Sequence, residues 1–350
     1  EPKSTANPGE KWNEPTSSIG GLRWRIGGDW DQYYDHFLFS KWSNIFSYDR
    51  YGNGQEKLEP GFVFVNVFVK SIFKTFYAYN LLLCCFIQIT YYKFANYFFP
   101  KHPLLCYCYL MIQASYIFPV RAGFAIAIAF WCWKYIKEQK LKKYIITIFT
   151  AFLIHNQAIV LLPCYFLRYL KIKSVYLLIA YPIIAIFAFK FQSYFAQMAL
   201  LFSGSIAEKA QMYTEWQTEG ISKASNYAGW ILNYLFLCVY LFVRKKERKE
   251  RSDFYNTLVN AVMVYNTIFM VFSSGMGDLA RLASQYFPAQ CILFINSILF
   301  FYKYKKGYIK VCTVVFLLAY LLYRIPSLWS GPFFMDSSVP YKTIFDFHLV

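Results

Sequence analysis

Long apolar runs recur along almost the whole chain, and short polar or basic segments separate them. None of these runs has the polar face that a core helix of a soluble protein would show. Several reach the lower length limit for a membrane span only with Tyr, Trp or Lys at their ends as interfacial anchors. The pattern predicts an all-α polytopic integral membrane protein with about nine to ten membrane segments. The runs cover residues 78–92, 104–118, 122–133, 145–167, 175–189, 227–243, 258–272, 282–301 and 311–323.

Composition agrees with a membrane protein and excludes two other classes. Of the 350 residues, 57% are apolar and only 16% are charged, whereas a soluble domain has about 25% charged residues. The net charge of +17 would suggest nucleic acid in a soluble protein, but the basic residues lie in short loops between apolar runs. We therefore expect no nucleic-acid partner. The nine cysteines all fall in apolar runs, which favours buried thiols over disulfides or a zinc site.

Four short loops are strongly basic, at residues 134–143, 168–174, 244–251 and 303–310. The positive-inside rule places all four in the cytoplasm. Only one apolar run, 145–167, separates the first two, and a single crossing cannot keep both ends on one side. This run contains the polar tetrad IHNQ around His155. It is predicted to be a hairpin of two half-helices with His155 at its outward tip, because irregular backbone at membrane depth is tolerated inside protein. The alternative is a straight helix with a buried histidine and one basic loop outside.

With the basic loops placed in the cytoplasm, successive loops alternate between the two sides of the membrane, and this divides the chain into predicted regions. Residues 1–20 are polar and rich in Pro, Ser and Gly, so we expect a disordered segment. Residues 21–61 form an outer-face loop, residues 62–325 the transmembrane helical domain, and residues 326–350 an outer-face tail. Within the domain, residues 62–73 are too short to span and are expected to be interfacial or re-entrant, and 192–225 form a second outer-face loop.

This topology gathers the unusual polar side chains on the outer face. Each also has a structural interpretation as a loop charge, a turn residue, a buried histidine or a helical ion pair. For Arg121 the functional interpretation is favoured over the structural one, because a cation at a helix start opposes the helix dipole. Arginine forks suit phosphate, and a carboxylate or histidine beside them can serve as a general base. The residues are Arg23, Arg25, Asp29, Glu59, Arg121, His155, Asp278 and Arg281.

The order of these motifs, from about residue 21 to residue 341, resembles the EpsG/Wzy-like polysaccharide polymerase family. It is the order, more than any single motif, that carries the resemblance. The family pattern also leads us to expect a transmembrane helix ahead of residue 21, which this chain does not include. The matching positions are Arg25, Gly28, Asp29-Trp30 with Tyr33 or Tyr34, Glu59-Pro60-Gly61, Arg121-Ala122-Gly123, Leu153-Ile154-His155-Asn156, Ala280-Arg281 before Tyr286, and Val339-Pro340-Tyr341.

The resemblance implies a glycosyltransferase with a GT-C-like helical bundle in the bacterial inner membrane, its active site facing the periplasm or exterior. It would polymerise oligosaccharide repeat units linked to undecaprenyl diphosphate into a surface polysaccharide such as an O-antigen, capsule or exopolysaccharide. Expected partners are this lipid-linked oligosaccharide, membrane lipid, a chain-length regulator and a flippase. We expect no cofactor. The sequence has no carboxylate cluster suited to a metal, so metal-independent chemistry is the hypothesis.

Roles for individual residues follow from the same resemblance. Developing negative charge on the leaving diphosphate would be stabilised by arginines. Asp29 is the first choice of general base, with His155 and Glu59 next. The arginines are Arg23, Arg25, Arg121 and Arg281, and the substrate-binding residues are Trp30, Tyr33, Tyr34, Asp278 and Tyr286.

Three alternatives stay open at this point. A ligase resembling the O-antigen ligases, or a related lipid-linked sugar transferase, would have the same arginine requirement. A transporter or flippase of lipid-linked sugars would need polar groups through the whole depth of the bundle, and often internal repeats. An acyltransferase would have to rely on His155 alone.

Overall fold

The computed structural model describes residues 30–50, 52, 56–113, 121–199, 223–272, 277–303 and 307–329. Apart from an isolated antiparallel bridge between Asp49 and Lys57, the secondary structure of these residues is helical. Four 3₁₀ helices accompany the α-helices, at Trp42–Asn44, Asn156–Tyr169, Lys249–Arg251 and Arg281–Tyr286. The α-helices are α1 Trp30–Phe39, α2 Pro60–Phe73, α3 Phe76–Phe98, α4 Pro103–Gln113, α5 Arg121–Lys137, α6 Leu141–Ile154, α7 Ser174–Ala199, α8 Lys223–Lys246, α9 Asp253–Phe272, α10 Gly277–Ala280, α11 Phe287–Tyr302 and α12 Gly307–Trp329.

Several of these helices are long and apolar enough to cross a bilayer, which confirms the all-α polytopic membrane class. Three full-length candidates lie in the described residues, at Tyr227–Lys246, Asp253–Phe272 and Arg281–Tyr302. A fourth is the apolar pair α2 and α3, which is bent by 120°. The bend agrees with the expectation that 62–73 is not a span by itself. Other apolar runs form shorter helices, so the total of nine to ten segments stays a prediction.

The chain divides into two compact units. In the first, which includes residues 30–86, α1 packs on α2. The Lys70 ammonium on α2 donates hydrogen bonds to the carbonyl oxygens of Phe37, Leu38 and Ser40 at 3.1, 2.9 and 2.5 Å. These carbonyls belong to the end of α1, where the last turn of a helix lacks partners of its own. A cation at this position also interacts favourably with the helix dipole. The predicted domain boundaries stay a prediction.

In the second unit, which includes residues 87–113 and 121–322, α9 is the central helix. It contacts α7, α8, α11 and the two 3₁₀ helices Asn156–Tyr169 and Arg281–Tyr286. Its buried amides connect it to those neighbours. The Asn260 side chain donates to the carbonyls of Leu167 and Leu170 at 3.0 and 2.8 Å, at the end of Asn156–Tyr169. An apolar residue at 260 would leave these carbonyls without those bonds.

The run 145–167 folds as a hairpin, as predicted. Helix α6 ends at Ile154, His155 is extended with φ −155° and ψ 122°, and the 3₁₀ helix begins at Asn156. The Tyr144 and Tyr165 rings, one on each arm, lie 5.2 Å apart. The Tyr144 hydroxyl donates to the Leu161 carbonyl across the two arms. We call residues 141–169 the His155 hairpin.

The fold brings three of the basic loops to one end of the second unit. The Lys137 ammonium lies 5.2 Å from the centre of the Phe98 ring, and that ring stacks on Phe254 at 5.9 Å. Phe254 follows Asp253, which lies 3.8 Å from the Arg168 guanidinium. Loops 134–143 and 168–174 are therefore neighbours, as a hairpin requires.

The third loop, 244–251, joins the same end. The Arg244 guanidinium donates to the Ile172 carbonyl at 3.3 Å, and Lys171 lies 3.6 Å from Asp253. We call this the basic end of the unit. The fourth basic loop, 303–310, is only partly described. Helix α11 ends at Tyr302, and the next residue, Lys303, begins this loop.

Candidate active site

The tip of the His155 hairpin lies at the end of the unit opposite the basic end. The His155 N–H donates to the Ala151 carbonyl at 2.9 Å, and its own carbonyl accepts from Ala158 at 3.1 Å. The extended backbone of one residue thus ends one helix and starts the next. The imidazole is buried, with 7% of the residue exposed. His155 is a polar side chain held at a fixed position on the tip, in agreement with the prediction.

Arg121 lies at the same end as His155. It is the first residue of α5, which packs closely on α6 after a short turn at residues 138–140. At 1.5 Å per residue, α5 is about 26 Å long and α6 about 21 Å. The start of α5 and the tip of the hairpin are therefore at similar heights. Arg121 is 8% exposed, so its guanidinium is largely removed from water at a helix N-terminus, where the helix dipole opposes a cation.

A third predicted residue, Arg281, reaches this end from another segment. It begins the 3₁₀ helix Arg281–Tyr286, which contacts both the His155 hairpin and α5. The Tyr286 hydroxyl donates to the Val160 carbonyl on the hairpin at 2.6 Å. Arg281 is exposed and Tyr286 is buried. Helix α11 continues from Tyr286 toward the basic end, so Arg281 lies on the side of Tyr286 away from that end.

Two guanidinium groups and an imidazole therefore gather at one end of the second unit, carried by α5, the hairpin tip and Arg281–Tyr286. Guanidinium groups donate paired hydrogen bonds to phosphate oxygens and keep their charge. This arrangement can bind a polyanion and place a proton acceptor beside it. We call Arg121, His155 and Arg281 the arginine–histidine cluster.

Gln285 is a residue at this end that the sequence reasoning missed. It is 1% exposed, and neither atom of its amide group has a hydrogen-bond partner among the described residues. A buried amide without partners costs on the order of 1–3 kcal/mol. It precedes Tyr286, close to the hairpin. The signal in the sequence was a glutamine four residues after Arg281, at the start of a mainly apolar run.

Four other predicted site residues, Trp30, Tyr33, Tyr34 and Glu59, belong to the first unit. Trp30 is 2% exposed; its ring stacks on Tyr34 at 5.2 Å and meets Phe76 edge-on at 5.4 Å. The Tyr33 ring contacts Phe62 at 5.9 Å. These aromatic side chains form the core between α1, α2 and α3. Their predicted contact with a sugar stays a prediction.

Glu59 lies immediately before α2 as its N-cap residue. Its carbonyl accepts the N–H groups of Phe62 and Val63 at 3.1 Å, and its carboxylate makes no capping hydrogen bond. A carboxylate at the start of a helix interacts favourably with the helix dipole. Arg23, Arg25 and Asp29 lie outside the described residues. Asp278 belongs to α10, but the position of its side chain is likewise outside the described part.

A sequence model of the EpsG family matches residues 16–343, which is almost the whole chain. The protein is a member of the EpsG family. No curated protein and no solved structure matches it. EpsG is the family of Wzy-like polysaccharide polymerases, so the resemblance drawn from the motif order is confirmed. Membership indicates a membrane-bound polysaccharide polymerase of the glycosyltransferase type with a lipid-linked oligosaccharide substrate.

The matched range contains every residue assigned to the site, from Arg23 to Tyr286. It also includes both arms of the His155 hairpin and the helices that hold them. The family match covers both compact units, so the EpsG assignment applies to the two together.

Proposed function

We propose that this protein extends a surface polysaccharide at the outer leaflet of the cytoplasmic membrane, using repeat units linked to undecaprenyl diphosphate. The main support for this proposal is the arginine–histidine cluster, which lies at one end of the second unit, opposite the basic end. Three basic loops together favour the cytoplasm under the positive-inside rule. The cluster then faces the periplasm or exterior.

The reaction is transfer of the growing glycan from its lipid diphosphate to a new repeat unit. A hydroxyl oxygen of the acceptor sugar attacks the anomeric carbon of the donor. A new carbon–oxygen bond forms, and the bond from that carbon to the diphosphate oxygen breaks. The hydroxyl proton goes to a base, and undecaprenyl diphosphate leaves with the electron pair of the broken bond.

Arginines stabilise the charge that develops on the leaving diphosphate. Arg121 and Arg281 occupy different segments at the same end, so they can approach one diphosphate from two directions. Arg23 and Arg25, in the segment before α1, complete the set in this proposal. Fixed charges aimed at a developing anion are often the largest contribution to catalysis. No divalent metal is needed in this scheme.

The base is Asp29 in this proposal, with His155 or Glu59 as the substitutes to test. A carboxylate is ionised at neutral pH and can accept the proton directly. The substitutes differ in position, because His155 belongs to the second unit and Glu59 to the first. Trp30, Tyr33, Tyr34, Asp278 and Tyr286 are proposed to shape the sugar sites. A chain-length regulator and a flippase are the proposed protein partners.

A transporter of lipid-linked sugars is less well supported. Helix α9 does carry buried amides toward the basic end, which could suggest a polar path. Asn260 donates to the carbonyls of Leu167 and Leu170, and Asn256 donates to the Glu250 carbonyl at 3.1 Å. The hydrogen bonds that these two amides donate connect ends of helices, so the fold accounts for those bonds.

The test is polymerisation by the purified protein, supplied with a synthetic repeat unit on undecaprenyl diphosphate. We expect a ladder of products that persists in EDTA and is lost in Arg121→Gln. Arg168→Gln is the matched control, since Arg168 is also a buried arginine, 7% exposed, but lies at the basic end. Equal loss in both variants, with both folded, would remove the arginine assignment. Transfer to a non-repeat acceptor without a ladder would favour the ligase.

A further inference from the structure

A cavity of about 370 Å³ lies between α8, α11 and α12, apart from the arginine–histidine cluster. Its volume falls in the range of small-molecule pockets, roughly 300–1,000 Å³. The walls are almost entirely apolar. The rings of Phe236, Phe294 and Phe316, one from each helix, meet at 5.6 and 6.4 Å around Phe236.

Two polar side chains of this cavity bond within their own helices. The Ser297 hydroxyl donates to the Leu293 carbonyl, and the Thr313 hydroxyl to the Ile309 carbonyl, both at 2.8 Å. The Tyr240 hydroxyl also lines the cavity and has no hydrogen-bond partner among the described residues, so the lining offers a ligand mainly hydrocarbon contacts and one phenolic hydroxyl. A headgroup or a sugar would lose its hydration here without replacement.

The cavity opens sideways to where lipid lies. Leu235, Tyr308 and Phe316 line it and are 54%, 63% and 43% exposed. A hydrocarbon chain can enter from the bilayer between α8 and α12 without passing through the polar end of the unit. The chain is already out of water in the bilayer, so its binding is favoured by van der Waals packing against the cavity walls rather than by the hydrophobic effect.

The cavity extends along α11 from Phe294 to Phe301. Along α11, Phe294 lies about 10 Å and Phe301 about 21 Å below Phe287, which adjoins the cluster end. Half of the hydrocarbon core of a bilayer is about 15 Å thick. A cavity that covers this range crosses the midplane. An ordinary acyl chain anchored at the cluster end stops near the midplane, whereas a long polyisoprenoid continues past it.

We propose that this cavity binds the polyisoprenoid chain of the lipid-linked substrate. The proposal rests on the proposed function for the identity of the lipid. The headgroup lies at the arginine–histidine cluster, and the chain descends along α11 and enters the cavity between α8 and α12. Chain length thereby contributes to recognition of the substrate.

Cys312 gives a native probe of occupancy, because it lines the cavity and is exposed. Alkylation by N-ethylmaleimide is followed by mass spectrometry on the full chain in nanodiscs, with undecaprenyl phosphate or phosphatidylglycerol added. Cys108, which is also exposed but lies on α4, is the internal control. We expect undecaprenyl phosphate to slow alkylation of Cys312 roughly tenfold when it is supplied at about ten times its Kd, since only the unoccupied fraction reacts. Cys108 should not change.

A second test uses a variant in which a larger side chain fills the cavity. Thr313→Phe places a ring in the cavity, so undecaprenyl phosphate should no longer protect Cys312. In polymerisation, the wild type should prefer an undecaprenyl donor to a farnesyl donor, and Thr313→Phe should use both about equally. Ser71→Phe, a matched change at an exposed position on α2, should keep the preference.

The outcomes separate the two proposals. If phosphatidylglycerol protects Cys312 as well as undecaprenyl phosphate does, or if Cys108 slows equally, the cavity is a general lipid site and the inference is wrong. The same holds if Thr313→Phe keeps both protection and chain-length preference. If no donor is polymerised by the wild type while undecaprenyl phosphate alone protects Cys312, the polyisoprenoid site stands and the polymerase proposal fails.

Discussion

The hydroxyl of Tyr286 donates a 2.6 Å hydrogen bond to the carbonyl oxygen of Val160. The two residues are far apart in sequence, and each belongs to a 3₁₀ helix at the cluster end. The bond connects the segment that begins with Arg281 to the hairpin that carries His155. The relative placement of two members of the cluster therefore depends in part on one buried phenol.

Removing this hydroxyl should affect catalysis more than substrate affinity. Tyr286→Phe leaves the ring in place but leaves the Val160 carbonyl without this donor, at a cost of about 1 kcal/mol in the free energy of unfolding. Looser placement of Arg281 should lower kcat by roughly ten- to a hundredfold with little change in KM. Steady-state polymerisation kinetics and thermal unfolding measure the two effects.

A matched control exists in the same unit. The hydroxyl of Tyr181, which is also buried, donates to the Trp230 carbonyl at 2.8 Å between α7 and α8. Tyr181→Phe should destabilise the protein similarly and leave kcat unchanged. If both variants lose the same activity, the role of Tyr286 is in stability alone.

The hairpin makes a prediction about membrane topology. In a cysteine-free background, an impermeant maleimide should label Asn156→Cys, next to the tip, from one side of the membrane. It should label Lys142→Cys and Lys171→Cys from the other side, because these positions lie in the two basic loops at the same end. Labelling of positions 156 and 171 from the same side would contradict the hairpin.

The base can be identified by single substitutions. Asp29→Asn removes the proton acceptor of the proposed mechanism with little change in size, and kcat should fall by about 10²–10⁴. Asp31→Asn is the control, since Asp31 is an exposed carboxylate in the first turn of α1. His155→Gln should have the smaller effect. A larger loss in His155→Gln than in Asp29→Asn would move the base to the hairpin tip.

The turn between α5 and α6 predicts a dependence of stability on pH. The Lys140 ammonium lies 2.7 Å from the Glu138 carboxylate and is the main reason that the Glu138 pKa is lowered, with a hydrogen bond from Tyr97 also lowering it. A lowered carboxyl pKa contributes stability above the usual value, about 4.3. That contribution disappears as the pH falls through the folded-state pKa.

The measurement compares the wild type with Glu138→Gln by thermal unfolding in detergent. The wild type should be more stable by about 0.2–1 kcal/mol at neutral pH, as is typical of a solvent-accessible ion pair. The difference should stay constant down to about pH 5 and shrink below about 4.3. A difference that grows on acidification would contradict the sign of the Glu138 pKa change.

Some elements of the fold and the candidate site could be predicted from the sequence, and others could not. The hairpin followed from charge alone, because two basic loops on either side of one apolar run cannot both be cytoplasmic unless the run turns back. The family followed from the order of short motifs. The position of Trp30 did not follow, since a tryptophan beside Asp29 suggests a sugar platform equally well. Its burial against Tyr34 and Phe76 depends on how α1 meets α3.

The membrane class, the family and the tip of the hairpin could be predicted from the amino-acid sequence alone. Hydropathy and loop charge act locally and report directly on the transfer of each segment into lipid. The three-dimensional structure was needed to show that Arg121, His155 and Arg281 share one end, that the amide of Gln285 is buried beside them, and that a cavity lies between α8, α11 and α12. These features depend on packing between segments distant in the chain, and no local pattern encodes which faces meet.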